Sequence, residues 1–105
     1  MKLKVIFNRA HKEEAFRDEK AIIFFSANWC EYCNRIAPYV SPIANEINDI
    51  KFYKTDIYDM NELLEKFEIR AIPAFISIKK GEKTREYVGC DIGKLLEFVQ
   101  EVQEL

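Results

Sequence analysis

The 105-residue chain has no long apolar run, no basic stripe, no internal repeat and no low-complexity or linker tract. Each absence excludes something. The opening Met1-Lys2-Leu3-Lys4-Val5-Ile6-Phe7 is too short an apolar stretch for a signal peptide or a membrane span, so a cytoplasmic location is expected and a membrane partner is not. A net charge of -2 leaves no surface to propose for nucleic acid. Histidine occurs once, as His11 in a polar stretch, where a solvated or capping side chain is expected. Cysteine occurs three times, an odd number that cannot pair completely within one chain. By count, Cys30, Cys33, Cys90 and His11 would make a Cys3His zinc set. Structural zinc usually takes two close ligand pairs, however, and His11 has no near partner, so no metal is expected. Hydrophobic residues at 49% and charged residues at 32% describe an ordinary globular chain, and its length fits a single domain spanning 1–105.

What is present centres on Trp29-Cys30-Glu31-Tyr32-Cys33. The preceding run, Ala21-Ile22-Ile23-Phe24-Phe25, is apolar without alternation, as in a strand covered on both faces. The following stretch places Ile36, Val40, Ile43, Ala44 and Ile47 at helical spacing. The two cysteines therefore fall at a strand-to-helix junction, where unpaired N–H groups and the helix dipole favour an anion such as a thiolate. Cys30, at the exposed helix start, is the expected nucleophile, and Cys33, one turn inward, can resolve what it forms. A bridge between them closes a very small loop and removes little unfolded-state entropy, so a reversible redox role suits the pair better than a structural one.

Taken in order, residues 2–7 read as a strand and residues 10–20 as a helix anchored by Ala15 and Phe16. The strand 21–25 follows, and then a helix to about Asn48, kinked at Pro38 and passing Pro42. Residues 51–56 read as a strand, expected to lie parallel to the one before the helix. Asp59 and Glu62 resemble a capping box for a short helix with Met60, Leu63, Leu64 and Phe67 on its apolar face. A strand over 72–78 enters through Pro73, turns at 79–83 and returns over 85–88 as a hairpin. Gly89-Cys90 ends it, and Asp91 can cap a last helix with Ile92, Leu95, Leu96, Val99 and Val102 on one face.

The order β-α-β-α-β-α-β-β-α implies an α/β sandwich, and over nearly its whole length the chain resembles the thioredoxin family. The matching residues are Ile22 to Phe25, Ser26-Ala27-Asn28-Trp29-Cys30, Cys33, Pro38, Asp56, Ile72-Pro73-Ala74-Phe75, Gly81 and Val88-Gly89. The resemblance implies a thioredoxin fold, with a central mixed sheet of about five strands flanked by four helices. It also implies a dithiol–disulfide oxidoreductase in which Cys30 attacks, Cys33 resolves and Pro73 is a cis proline facing the motif. Trp29, Ile72, Gly89 and Cys90 would rim a flat docking surface, with Glu31 and Tyr32 beside it. No cofactor is implied. The implied partners of a monomeric protein are disulfide-containing client proteins and an electron donor, either a thioredoxin reductase or glutathione.

Three departures from the family pattern modify this expectation. Glu31 sets a carboxylate beside Cys30, which opposes thiolate formation. Phe24 occupies the place of the family's buried aspartate, and Phe52 is matched to its partner lysine, leaving Cys33 in an apolar pocket without a base. Tyr32 and Gly89-Cys90-Asp91 resemble glutaredoxins, which makes glutathione-dependent activity the alternative. A cluster bridging two chains, a metal-binding role and a non-catalytic adaptor are the remaining alternatives, the last weakened by the presence of both cysteines.

Overall fold

The computed structural model describes residues 2–105. Its elements are β1 (Leu3–Val5), α1 (Arg9–Phe16), β2 (Ala21–Ser26), α2 (Glu31–Glu46), β3 (Lys51–Asp56), α3 (Asn61–Lys66), β4 (Ala74–Lys79), β5 (Glu82–Val88) and α4 (Ile92–Gln103). The strands form one sheet in the order β1-β3-β2-β4-β5. β1 and β2 both run parallel to β3, while β4 runs antiparallel to β2 and to β5. This is the five-stranded mixed sheet with four helices that the resemblance implied.

β2 is buried along its whole length, and its position between β3 and β4 explains why its sequence does not alternate. Ile22 and Phe24 face the cluster built with α2 and α4, which includes Ile36, Val40, Phe98 and Val102. Ile23 and Phe25 face the cluster built with Ala15, Leu63 and Phe67 of the α1 and α3 side. Both faces are covered, so every position has to be apolar. No helix among the described residues is long and apolar enough to cross a membrane.

Several elements differ from the expectation in instructive ways. β1 is three residues long, because Asn8 starts α1 by accepting the His11 N–H at 2.9 Å. α2 includes both Pro38 and Pro42, and both rings lie on the solvent side. The carbonyls that lose a backbone donor there can bond water instead. Asp59 does not cap α3. The N-cap is Met60, which makes no side-chain cap bond. Asp56 organises that turn, its carboxylate accepting the Tyr58 N–H at 2.8 Å and its carbonyl the Asp59 N–H at 3.0 Å. The hairpin is tighter than expected. Lys80 and Gly81 both have positive φ, the signature of a two-residue turn matched to strand twist, and β5 begins at Glu82 with a bulge opposite Ser77 and Ile78. In α4 the buried face is Leu95, Phe98, Val99 and Val102, whereas Leu96 is 46% exposed.

Candidate active site

The central strand β2 runs straight into Ala27-Asn28-Trp29 and then into α2. Cys30 is the N-cap residue, with extended backbone, and its Sγ accepts the Cys33 N–H at 3.1 Å. The two cysteines are joined as a disulfide, with their Cα atoms 5.2 Å apart, so the structure is that of the oxidised form. Cys30 is less open than its place at a helix start implied. It is 6% exposed, because the N-cap side chain folds over the first turn, while Cys33 is 1% exposed. What little of the pair reaches solvent belongs mainly to Cys30.

Pro73 arrives at the same end of the sheet. Ala74 is in register with Phe25, one residue before β2 ends, so Pro73 lies where the strand opens into the motif. The Ile72–Pro73 bond is cis. On the other side of Pro73, its carbonyl accepts the Gly89 N–H at 3.1 Å, which brings the β5–α4 turn alongside. Gly89 has a φ of +149°, and a Cβ there would lie 2.7 Å from the Tyr87 hydroxyl, so glycine is required. Ile72 and Cys90 are half-buried and pack against the cluster that contains both Cys30 and Cys33. Trp29 is 64% exposed and Tyr32 is exposed beside it. The site residues expected from the sequence are thus all found at one end of the sheet.

Other contacts were not visible in the sequence. The Trp29 indole N–H donates to the Tyr58 hydroxyl at 3.1 Å, a partner supplied by the Asp56 turn. Trp29 and Ile72 then wall a shallow cleft of about 200 Å³, completed by Ile57, Leu64, Ile69 and Arg70. The Glu31 carboxylate does not stand alone beside Cys30. It accepts from the Arg35 guanidinium at 2.8 Å, and Arg35 also lies 5.4 Å from the Tyr32 ring centroid. The pair is exposed and screened, yet it lowers the opposition that an isolated carboxylate would present to a thiolate. Asp91 is committed to α4, its carboxylate accepting the Lys94 N–H at 2.9 Å and its own N–H donating to the Tyr87 hydroxyl at 2.9 Å.

One expectation is overturned. Phe52 is not the counterpart of the family's lysine, since it pairs with Ile22 in the sheet. The residue in register with Phe24 is Lys54, whose Nζ lies 6.0 Å from the Phe24 ring centroid. The cation is present and the carboxylate is not. Phe24 itself stacks on Phe75 at 4.6 Å, within the apolar cluster that holds Cys33.

A buried disulfide closing the first turn of a helix, beside a cis proline on a mixed sheet, defines a class: dithiol–disulfide exchange proteins built on the thioredoxin fold. The family model described as Thioredoxin matches residues 2–101, and the chain belongs to the thioredoxin family. It is 38% identical to a thioredoxin of Geodia cydonium, over 84% of this chain and 81% of that one. It is 35% identical to an H-type thioredoxin of Fagopyrum esculentum, over 71% of this chain but 65% of that relative's length. The solved structure of Malassezia sympodialis thioredoxin superposes with a TM-score of 0.87 at 28% identity, covering 96% of this chain and 93% of that one.

Proposed function

We propose that this chain reduces disulfides in client proteins through Cys30 and Cys33. The observation that carries the reading is the Cys30–Cys33 bond at the first turn of α2. In the reduced protein, Cys30 Sγ sits among the unpaired N–H groups of that turn, which stabilise a thiolate. The thiolate attacks one client sulfur. The client S–S bond breaks, and the electron pair leaves on the second client sulfur, which takes a proton. Cys33 then loses its proton and attacks Cys30 Sγ, reforming the pair and releasing the first client sulfur as a thiol. Two electrons and two protons pass from protein to client.

Pro73 and Ile72 offer backbone for an extended client segment. Trp29, Gly89 and Cys90 offer apolar surface around it, and Glu31 and Tyr32 border the approach. All these groups come from one chain, which suits a monomer. An odd cysteine, Cys90, lying half-buried near the redox pair fits a reducing compartment such as the cytoplasm. A thioredoxin reductase is the donor that restores the dithiol. Tyr32 is the residue that favours glutathione instead. The Gly89-Cys90-Asp91 turn gives that reading little support, because the Asp91 N–H and carboxylate are already bonded within the protein.

The test follows a disulfide-bonded reporter protein and the oxidised chain together. With a thioredoxin reductase and its nicotinamide donor, the chain should turn over reporter disulfides repeatedly, and Cys30→Ser should abolish turnover. Cys33→Ser should hold the reporter covalently on Cys30. Capture of nothing by Cys33→Ser, while the wild type still turns over, would refute the two-cysteine mechanism. Rapid reduction by glutathione alone would favour the second reading.

A further inference from the structure

We propose that Arg70 makes the cleft beside Trp29 a selective subsite, favouring clients that carry a carboxylate next to the apolar side chain the cleft accepts. The proposal rests on the dithiol-exchange reading above and adds client specificity to it. The cleft is walled by Trp29, Ile57, Leu64, Ile69 and Ile72, all apolar, and Arg70 is the one charged residue lining it. Its about 200 Å³, open on one side, suits a single apolar side chain of a bound segment. Arg70 is exposed, and among the described residues no carboxylate lies within 4.0 Å of its guanidinium. Arg35, the arginine next to the motif, is by contrast already bound to Glu31 and stacked on Tyr32. Arg70 is thus a cation without a carboxylate partner among the described residues, and it lines the cleft that Trp29 and Ile72 wall.

The cleft is also preorganised. Trp29 would otherwise be free to rotate into it, but its indole N–H is tied to Tyr58, whose own N–H is tied to Asp56. An apolar wall that is already fixed costs a client less ordering on binding. Its position is continuous with the reacting pair, since Trp29 adjoins Cys30 and Ile72 adjoins Pro73. A client segment whose cysteine meets Cys30 thus has a neighbouring side chain within reach of the cleft, and the residue beside that one within reach of Arg70. A guanidinium presents a planar fork that suits a carboxylate in two-point contact. The protein is net acidic at -2, so acidic clients are disfavoured at long range and this one local cation sets the preference on contact.

The experiment uses reduced full-length protein and synthetic disulfide-bonded peptides. Leu is placed next to the reacting cysteine, followed by Glu, Gln or Lys, in one series before the cysteine and in another after it. Rate constants for the first attack, measured at low salt, are divided by the rate with 2-hydroxyethyl disulfide, which is too small to reach the cleft. In one series the wild type should reduce the Glu peptide about two- to fivefold faster than the Lys peptide, as expected of one exposed charge pair. Arg70→Gln should bring the ratio to about one, and Arg70→Glu should invert it. Salt near 0.5 M should shrink the wild-type ratio. Equal rates for Glu and Lys peptides in both series would overturn the proposal, as would a preference that survives Arg70→Gln. Failure to reduce 2-hydroxyethyl disulfide at all would instead refute the dithiol-exchange reading, and the subsite with it.

Discussion

At position 24 a cation faces an aromatic ring, where the family pattern has a cation facing a carboxylate. Lys54 Nζ lies over the Phe24 ring, an arrangement that gains about 0.5–1 kcal/mol at a partly exposed site. Phe24 packs in the cluster that encloses Cys33, so the resolving thiol has an apolar neighbour in place of a base. An apolar pocket disfavours the thiolate by removing its hydration. We therefore expect attack by Cys33 on the mixed disulfide to depend more steeply on pH than the first attack by Cys30. Phe24→Asp should speed that second step near neutral pH in single-turnover measurements. Losing a buried ring typically costs about 3–5 kcal/mol, and desolvating the new carboxylate adds to that cost, offset in part by Lys54 in register. An unchanged release rate in a folded Phe24→Asp variant would reduce Phe24 to packing. For the first step, iodoacetamide should label Cys30 before Cys33 in the reduced protein, as read by peptide mass. Primary labelling of Cys33 would reverse the assignment of roles.

At the scale of elements, the β5–α4 turn fixes one side of the site through a glycine and a tyrosine. The Tyr87 hydroxyl accepts the Asp91 N–H at 2.9 Å and donates to the Asp91 carbonyl at 3.3 Å, so it clamps the start of α4. The same hydroxyl occupies the space a Cβ on Gly89 would need. Gly89→Ala should cost about 2 kcal/mol through its positive φ and this clash. Tyr87→Phe should cost about 1 kcal/mol through lost hydrogen bonds. The double variant should lose less than the sum, since removing the hydroxyl relieves the nearest contact, and a double-mutant cycle by urea unfolding measures that coupling. Purely additive losses would show that the backbone conformation alone sets the glycine requirement. The same scale shows what was legible in the sequence. β2 and α2 were, because burial on two faces and an uninterrupted apolar stripe leave unambiguous patterns. Asp91 as a cap was, because its position before an apolar helix is a local signal. The Asp56 turn was not, since an aspartate ending a strand and a carboxylate three residues later look alike as caps until the backbone is traced. Nor was the choice of Phe98 over Leu96, which depends on where the sheet meets α4.

For the whole molecule, the site is a consequence of strand order. Because β2 lies between β3 and β4, its end, the Asp56 turn and Pro73 meet at one end of the sheet, and Trp29 finds Tyr58 there. That meeting could not be read from the sequence: Tyr58 and Arg70 belong to no motif, and Lys54 was missed because pairing register decides which residue faces Phe24. The opposite face has its own long-range tie. Tyr53, buried on the α1 and α3 side, donates to the Asp18 carboxylate at 2.5 Å and so joins β3 to the segment between α1 and β2. Burial raises the Tyr53 phenol well above its usual range, and the hydrogen bond to Asp18 with the negative charges of Asp18 and Glu14 raises it further. The folded state therefore keeps this proton at a pH where the unfolded chain, with an ordinary phenol near ~10, has released it. Above that pH the unfolded state binds fewer protons than the folded one, so stability must fall as pH rises. It is fully present below about pH 10 and declines above it, by at most about 1.4 kcal/mol per pH unit from this group. Tyr53→Phe should be less stable than the wild type near neutrality, by the lost hydrogen bond. It should also lose stability more slowly above pH 10, so the two urea-unfolding curves converge as pH rises. Parallel decline of both proteins between pH 10 and 12 would show that tyrosinate formation at Tyr53 does not govern the alkaline limit.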